Sequence, residues 1–207
     1  MSDSRHKAAL RGAMRARRRS LSADQQAVAA RGLLAQLQSV AAFLEATKIA
    51  LYLAHDGEID PIEAMKWCWH NSKQACLPIV QAGKNRPNNT LVFANVNEQT
   101  EYAENRFSIS EPVVEQDQMI QAQSLDLVLM PLVAFDQNGN RLGMGGGFYD
   151  TTFAFLTEKS TDKPRLIGIA HEIQKVDTIS AEHWDIPLTT VVTDKNIYNL
   201  GMNESMP

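Results

Sequence analysis

The residues best placed to do chemistry lie in one stretch, Asn140-Arg141-Leu142-Gly143-Met144-Gly145-Gly146-Gly147-Phe148-Tyr149-Asp150. Its four glycines follow an apolar run and precede a segment, 149–158, that can be helical. Glycine admits positive φ and lacks a Cβ, so successive amide N–H groups can turn toward one anion and a ligand can approach the backbone closely. A helix starting just beyond the loop adds unpaired N–H groups and the positive end of its dipole. Phosphate is the anion such a loop suits, with Arg141 at one end and an aromatic pair plus Asp150 at the other. The alternative is a glycine-rich hairpin or tight turn. No Gly-Lys-Ser/Thr follows, so this is not a P-loop. Phe148 stands where a dinucleotide fingerprint would close on glycine.

Two further sets of residues could share that chemistry. Lys7, Arg11, Arg15 and Arg18 recur at helical spacing and form one cationic stripe, either solvated or facing a small anion. Glu58 follows the strand-like run 48–54, so it falls beyond a strand's carboxyl end, where open α/β sheets bind ligands; a solvated turn carboxylate is the alternative. His171 closes another strand-like run without an evident partner and reads as structural or solvated.

The ten residues from Arg141 to Asp150 resemble the signature of the 5-formyltetrahydrofolate cyclo-ligases, also called methenyltetrahydrofolate synthetases. Lys7-Ala8-Ala9-Leu10-Arg11 is similar to that family's N-terminal Lys-x-x-Leu-Arg element, and residues 182–187 to its closing element. The resemblance implies ATP-dependent conversion of 5-formyltetrahydrofolate to 5,10-methenyltetrahydrofolate with release of ADP and phosphate. It implies ATP contacts at Lys7, Arg11 and every residue from Arg141 to Tyr149, and folate contacts at Leu53, Glu58, Met144, Gly145, Gly146, Gly147 and Phe148. Catalytic work is expected of Arg141, Tyr149 and Asp150, and Mg²⁺ of Asp150 and Asp185. The formyl amide is a poor electrophile; phosphorylating its oxygen lets folate N10 close the ring and phosphate depart, so positioning and charge neutralisation are the protein's tasks. Family members often carry Tyr and Arg where this chain has Phe148 and Thr151, departures that touch only finer substrate contacts. Other α/β enzymes of phosphate ligands, such as sugar-phosphate isomerases or CoA transferases, and a silent folate-binding module are the rival readings.

The remaining sequence bounds the setting. Its 207 residues suit one domain, expected over 1–199 with a frayed tail beyond, and 44% apolar with 21% charged residues excludes wholesale disorder. No apolar run approaches the length of a membrane span, and the N-terminus lacks a secretory signal's apolar stretch, which points to the cytoplasm. Residues 1–19 carry seven Lys/Arg against one acid (+6), leaving thirteen against twenty-three (−10) elsewhere. An acidic body with a basic arm argues against general nucleic-acid binding and for small-molecule partners. A monomer is favoured. Cys68 and Cys76 form no metal-binding spacing and read as reduced and structural.

The elements that must position these residues alternate strand with helix, which predicts a three-layer α/β/α single domain with a mainly parallel sheet. A basic helix is expected over 4–19, and a second from Ser22, whose Ser-Ala-Asp-Gln is a capping box, with Val28, Leu34, Leu37, Ala41 and Leu44 inward. Asp60 as N-cap and Pro61 at N1 announce a helix to about Ser72. Strands are expected over 48–54, 75–80, 90–96, 165–171 and 190–193. The run 125–135 reads as the central strand, turned by Asp136-Gln137-Asn138-Gly139. Segment 105–113 reads as polar and irregular, and no chemistry is assigned to it.

Overall fold

The computed structural model describes residues 3–81, 90–158, 164–180 and 188–200. The segment 82–89 between two of the expected strands, the closing element 182–187 with Asp185, and residues 201–207 lie outside the described residues.

Helix α1 (Asp3–Arg19) is followed by α2 (Ala23–Leu37), whose first turn closes as expected: Gln25 N–H donates to Ser22 Oγ while Gln25 Oε1 accepts from Ser22 N–H. The burial phase of α2 differs from expectation. Ala29, Ala30, Leu33 and Leu37 face inward and Leu34 is partly buried, whereas Val28, Ala41 and Leu44 are exposed. Small residues set this phase. A Cβ on Gly32 would lie 2.4 Å from the Asp194 carbonyl oxygen, so glycine permits α2 to come this close to the sheet edge. Short α3 (Ala41–Glu45) then leads into β1 (Lys48–Ala50), shorter than the run 48–54 predicts.

Helix α4 (Ile62–His70) begins with Pro61 at the cap position, one residue later than expected and two shorter at its end; Asp60 Oδ1 still accepts from Ile62 N–H at 2.9 Å. Next come β2 (Gln74–Gln81) and β3 (Thr90–Val96), an antiparallel pair. Segment 105–113 is not irregular throughout: β4 (Tyr102–Glu104) and β5 (Ser110–Pro112) make a separate hairpin. After β6 (Met119–Ile120) comes β7 (Leu127–Pro131), whose first four side chains are buried as a central strand requires. The chain leaves β7 into a second small hairpin, β8 (Ala134–Phe135) with β9 (Arg141–Leu142). Fully buried Asp136 builds its turn by accepting from the N–H groups of Asn138, Asn140 and Ile179 and from the Asn140 amide.

The single helix expected over 149–158 is two short ones, α5 (Phe148–Thr152) and α6 (Phe155–Glu158). Strands β10 (Arg165–Ala170), β11 (Thr190–Thr193) and β12 (Ile197–Asn199) complete the sheet; Leu200, the first residue beyond the expected domain, is buried.

The eight strands run in the order β12-β11-β10-β7-β1-β2-β3-β6, with four parallel pairings in the middle and antiparallel ones at both edges. Strand alternation gives each face its own core. Ile49, Leu51, Leu77, Leu129 and Ile169 meet α2 and α4, while Ala50, Cys76, Val128, Met130 and Val191 face the side of Phe153. A fully buried side chain such as Leu33 or Phe93 contributes about 1.5 to 3 kcal/mol over its exposed form. Cys68 lies in the first core and Cys76 in the second, both free; burial pushes each thiol up to about 12. Helix α1 joins neither face: Met14 packs with Val133, Ala134 and Leu142 near the end of β7. No helix among the described residues is long and apolar enough to cross a membrane.

Candidate active site

The carboxyl ends of the parallel strands open into a cavity of about 610 Å³. Its wall takes Tyr52, Leu53, His55 and Glu58 from beyond β1, Met130 to Leu132 from the end of β7, Lys7 and Arg11 from α1, and all of 141–150. Thus every site residue implied by the family resemblance lines one cavity, except Asp185, which lies outside the described residues.

The glycine loop is exposed from Gly143 to Gly147, and Met144 retains half its surface. Gly145 (φ 93°) and Gly147 (φ 67°) sit in the left-handed region, which a β-carbon disfavours, so the loop needs glycine there for its path. A Cβ on Gly146 would meet the Phe148 ring at 2.9 Å. Arg11 Nε donates to the Gly143 carbonyl at 2.8 Å and so ties α1 to the loop. Lys7 is buried beside it. Arg141 pairs with Asp150 across the loop's base, and its side chain is nearly buried. Because α5 has only five residues, dipole support for an anion is weaker than a long helix would give. The loop amides and the side chains of Lys7, Arg11 and Arg141 are the groups on this wall able to face an anion.

The cationic stripe divides at mid-helix. Lys7 and Arg11 line the cavity, whereas Arg15, Arg18 and Arg19 all bind Asp56 in the turn after β1, at 2.6, 3.1 and 3.1 Å. Burial alone would raise the Asp56 carboxyl, but the hydrogen bonds and charges of Arg15 and Arg18 outweigh it and hold the group at about 2. Glu58 is set two residues on. Its Oε2 accepts from His55 N–H at 3.2 Å and its Oε1 faces Arg18 Nη2 at 3.4 Å. Burial pushes the Glu58 carboxyl above its ordinary value, against the opposing pull of Arg18 and the His55 amide.

Aromatic groups close the remaining sides. Tyr149 stacks on Phe153, and burial followed by the nearby Glu58 charge raises its hydroxyl well above the ordinary tyrosine value. It can donate a hydrogen bond but is held from ionising. Phe148 meets Phe107 edge-on, 5.9 Å between ring centroids. Phe107 sits between β4 and β5, in the segment to which the sequence assigns no chemistry. Asn105 organises that tip by accepting from Phe107 and Ile109 N–H, and Glu111 fastens it to β2 by accepting from Asn105 and from Val80 N–H. The available signal is an Asn-Arg-Phe-Ser turn between two short polar strands, too local to place it over a distant loop. His171 is buried and caps a turn after β10, the structural role its sequence context suggests.

Among the described residues no group of three or more His, Cys, Asp or Glu is gathered to hold a metal. Asp150 is a cavity-lining carboxylate about one-third exposed, with acceptor capacity beyond its bond to Arg141. One such carboxylate fits Mg²⁺, which takes few protein oxygens and fills its octahedron with water and phosphate.

A family model described as the 5-formyltetrahydrofolate cyclo-ligase family matches residues 3–194. A 5-formyltetrahydrofolate cyclo-ligase of Escherichia coli (strain K12) is 35% identical over 188 residues, which are 89% of this chain and 98% of that protein. One from Haemophilus influenzae is 34% identical, covering 88% of this chain and 95% of its own. The solved structure of Aquifex aeolicus 5,10-methenyltetrahydrofolate synthetase superposes with a TM-score of 0.77 at 27% identity, over 97% of this chain and 96% of the other. The glycine signature, the α/β scaffold and these near full-length likenesses agree: the chain belongs to the 5-formyltetrahydrofolate cyclo-ligase family.

Proposed function

We propose that the cavity beyond β1 and β7 is where this chain performs the family's reaction, with ATP phosphates on the glycine-loop side and folate on the Glu58 side. The chain is a ligase that converts 5-formyltetrahydrofolate to 5,10-methenyltetrahydrofolate using ATP. The observation that carries the assignment is convergence: Lys7 with Arg11, Glu58, and Arg141 with the 143–147 loop come from three distant parts of the sequence and line one cavity.

The residues then take distinct parts. Lys7, Arg11 and Arg141 neutralise the phosphates, and the glycine loop brings backbone N–H groups within reach of them. Arg141 also fixes Asp150, which would hold Mg²⁺ against the phosphates; the ion, when bound, supplies charge neutralisation during phosphoryl transfer. Asp185 would be its second carboxylate. Glu58 accepts from pterin N–H donors, and Leu53 and Phe148 pack on the ring system. Held this way, the formyl oxygen faces the γ-phosphoryl group, and once it is phosphorylated N10 closes the ring and phosphate leaves. Such catalysis rests on positioning and charge. Two buried free thiols fit a reducing cytoplasm.

The test is direct. Pure protein mixed with ATP, Mg²⁺ and 5-formyltetrahydrofolate is expected to give rising methenyltetrahydrofolate absorbance with one ADP per product. Absorbance that stays flat with both substrates saturating would overturn the reading.

A further inference from the structure

The cavity description leaves one charged side chain unused. Arg18 lies on α1 outside the Lys-x-x-Leu-Arg element, yet its side chain is fully buried. Its guanidinium reaches three separate segments: Nε donates to the Asp56 carbonyl at 2.9 Å, Nη1 to the Leu132 carbonyl at 3.4 Å, and Nη2 contacts Asp56 Oδ2, Glu58 Oε1 and Met144 Sδ. A buried cation is costly unless paired, so this placement demands an explanation. Asp56 alone does not supply one, because Arg15 and Arg19 already bind it from the solvent side. Three guanidiniums against two carboxylates leave the cluster with one excess positive charge, and among the described residues the only other carboxylate in contact with Arg18 is Glu58.

We propose that Arg18 is a positioning residue for folate binding, which keeps Glu58 ionised and aimed into the cavity while resting on the glycine loop through Met144. The proposal rests on the folate reading of Glu58 given above. Without Arg18, burial acts on Glu58 against the weaker pull of His55 alone and favours the neutral acid, which donates where the pterin needs an acceptor. The other titratable groups around Glu58 are His55 and Asp56 on its own turn, Arg15 on α1, and the hydroxyls of Tyr52 and Tyr149. A tyrosine hydroxyl is never a cation, so neither replaces the lost guanidinium.

The experiment measures KM for 5-formyltetrahydrofolate and for ATP across pH in wild type, Arg18→Met, Arg18→Lys, Glu58→Gln and Arg18→Met/Glu58→Gln, with thermal melts as a folding control. Arg18→Met is expected to raise folate KM about 10- to 100-fold, the scale of a lost charge-assisted contact, with less change for ATP. Its folate affinity should begin to fall at a higher pH than wild type as pH is lowered, the sign set by a raised Glu58 pKa. Arg18→Lys keeps the cation but not the fork, so it should retain the wild-type pH profile with a raised folate KM. The double variant should lose no more than Glu58→Gln alone, because Arg18 acts through Glu58. Additive losses in the double variant, or an unshifted pH profile with equal losses for both substrates, would overturn the proposal. If Arg18→Met does not fold, Arg18→Lys with wild-type folate KM overturns it alone. Wild-type protein that fails to turn over defeats the functional reading instead, so the two failures are distinguishable.

Discussion

Two turns carry this site, and they are built in opposite ways. The one after β1 is held by its own side chains: Asp56 holds three arginines, Glu58 is aimed by Arg18 and the His55 amide, and the Tyr52 hydroxyl donates to the Ile59 carbonyl at 2.6 Å. The glycine loop between β9 and α5 is exposed from 143 to 147, with Arg11 and the Arg141–Asp150 pair as its chief anchors. A rigid turn suits a flat, uncharged ring that must be read by shape. A loop of exposed backbone suits phosphates, whose charge can organise the amides around it.

If the first turn is structural as well as functional, breaking it should do the most damage. Asp56→Ala leaves Arg18 buried with one partner fewer and is expected to cost about 3 to 5 kcal/mol in a denaturant titration, with activity lost. The same pair predicts an acid limit. Because the folded carboxyl is held at about 2, the stability it contributes is fully present above the ordinary carboxylate range and is lost as pH falls toward 2. Melts in Asp56→Asn should show a shallower acid slope than wild type.

The glycine loop should behave the other way, losing ligand rather than fold. Gly145→Val forces a branched residue to φ 93° on an exposed loop, so ATP affinity is expected to fall more than about tenfold while the unliganded protein still melts cooperatively. Unchanged ATP affinity in calorimetry would remove the loop from the phosphate site. Lys7→Ala and Arg11→Ala each remove a charge-assisted contact of about 1.5 to 3 kcal/mol and should weaken ATP far more than folate. Glu58→Gln is the converse, with a folate KM defect and near-normal ATP binding; equal losses for both would merge the two half-sites into one. The smallest effect on stability is expected for Asp150→Asn, below about 1 kcal/mol without ligand. There the informative readout is the Mg²⁺ concentration for half-maximal rate, which should rise.

The same contrast governs what could be read from the sequence. The glycine loop was legible because its chemistry is contiguous: four glycines, an arginine and a carboxylate within eleven residues. So was the alternation of buried strands with helices, since apolar runs such as 127–130 need no partner to be recognised. The Asp56 cluster was not legible. His55-Asp56-Gly57 looks like any polar turn, and what makes it a hub is three arginines arriving from 37 to 41 positions away. The β4–β5 hairpin was missed for a related reason: among the described residues its two three-residue strands pair only with each other, and its hold on the cavity comes through Asn105 and Glu111. The α2 phase was misjudged because the face that packs closest is marked by Ala29, Ala30 and Gly32, which carry no strong apolar period.

The two cysteines turn the fold into its own clock. Each core carries one thiol, Cys68 on the α4 side and Cys76 on the opposite face, both fully enclosed and poorly ionised. Neither can react with a disulfide reagent until its own layer parts, so the labelling rate at each sulfur times the opening of one layer. Resolved by mass, the two rates would report whether the layers separate together or in sequence. Folate or ATP should slow whichever opening dismantles the turn or loop that holds it.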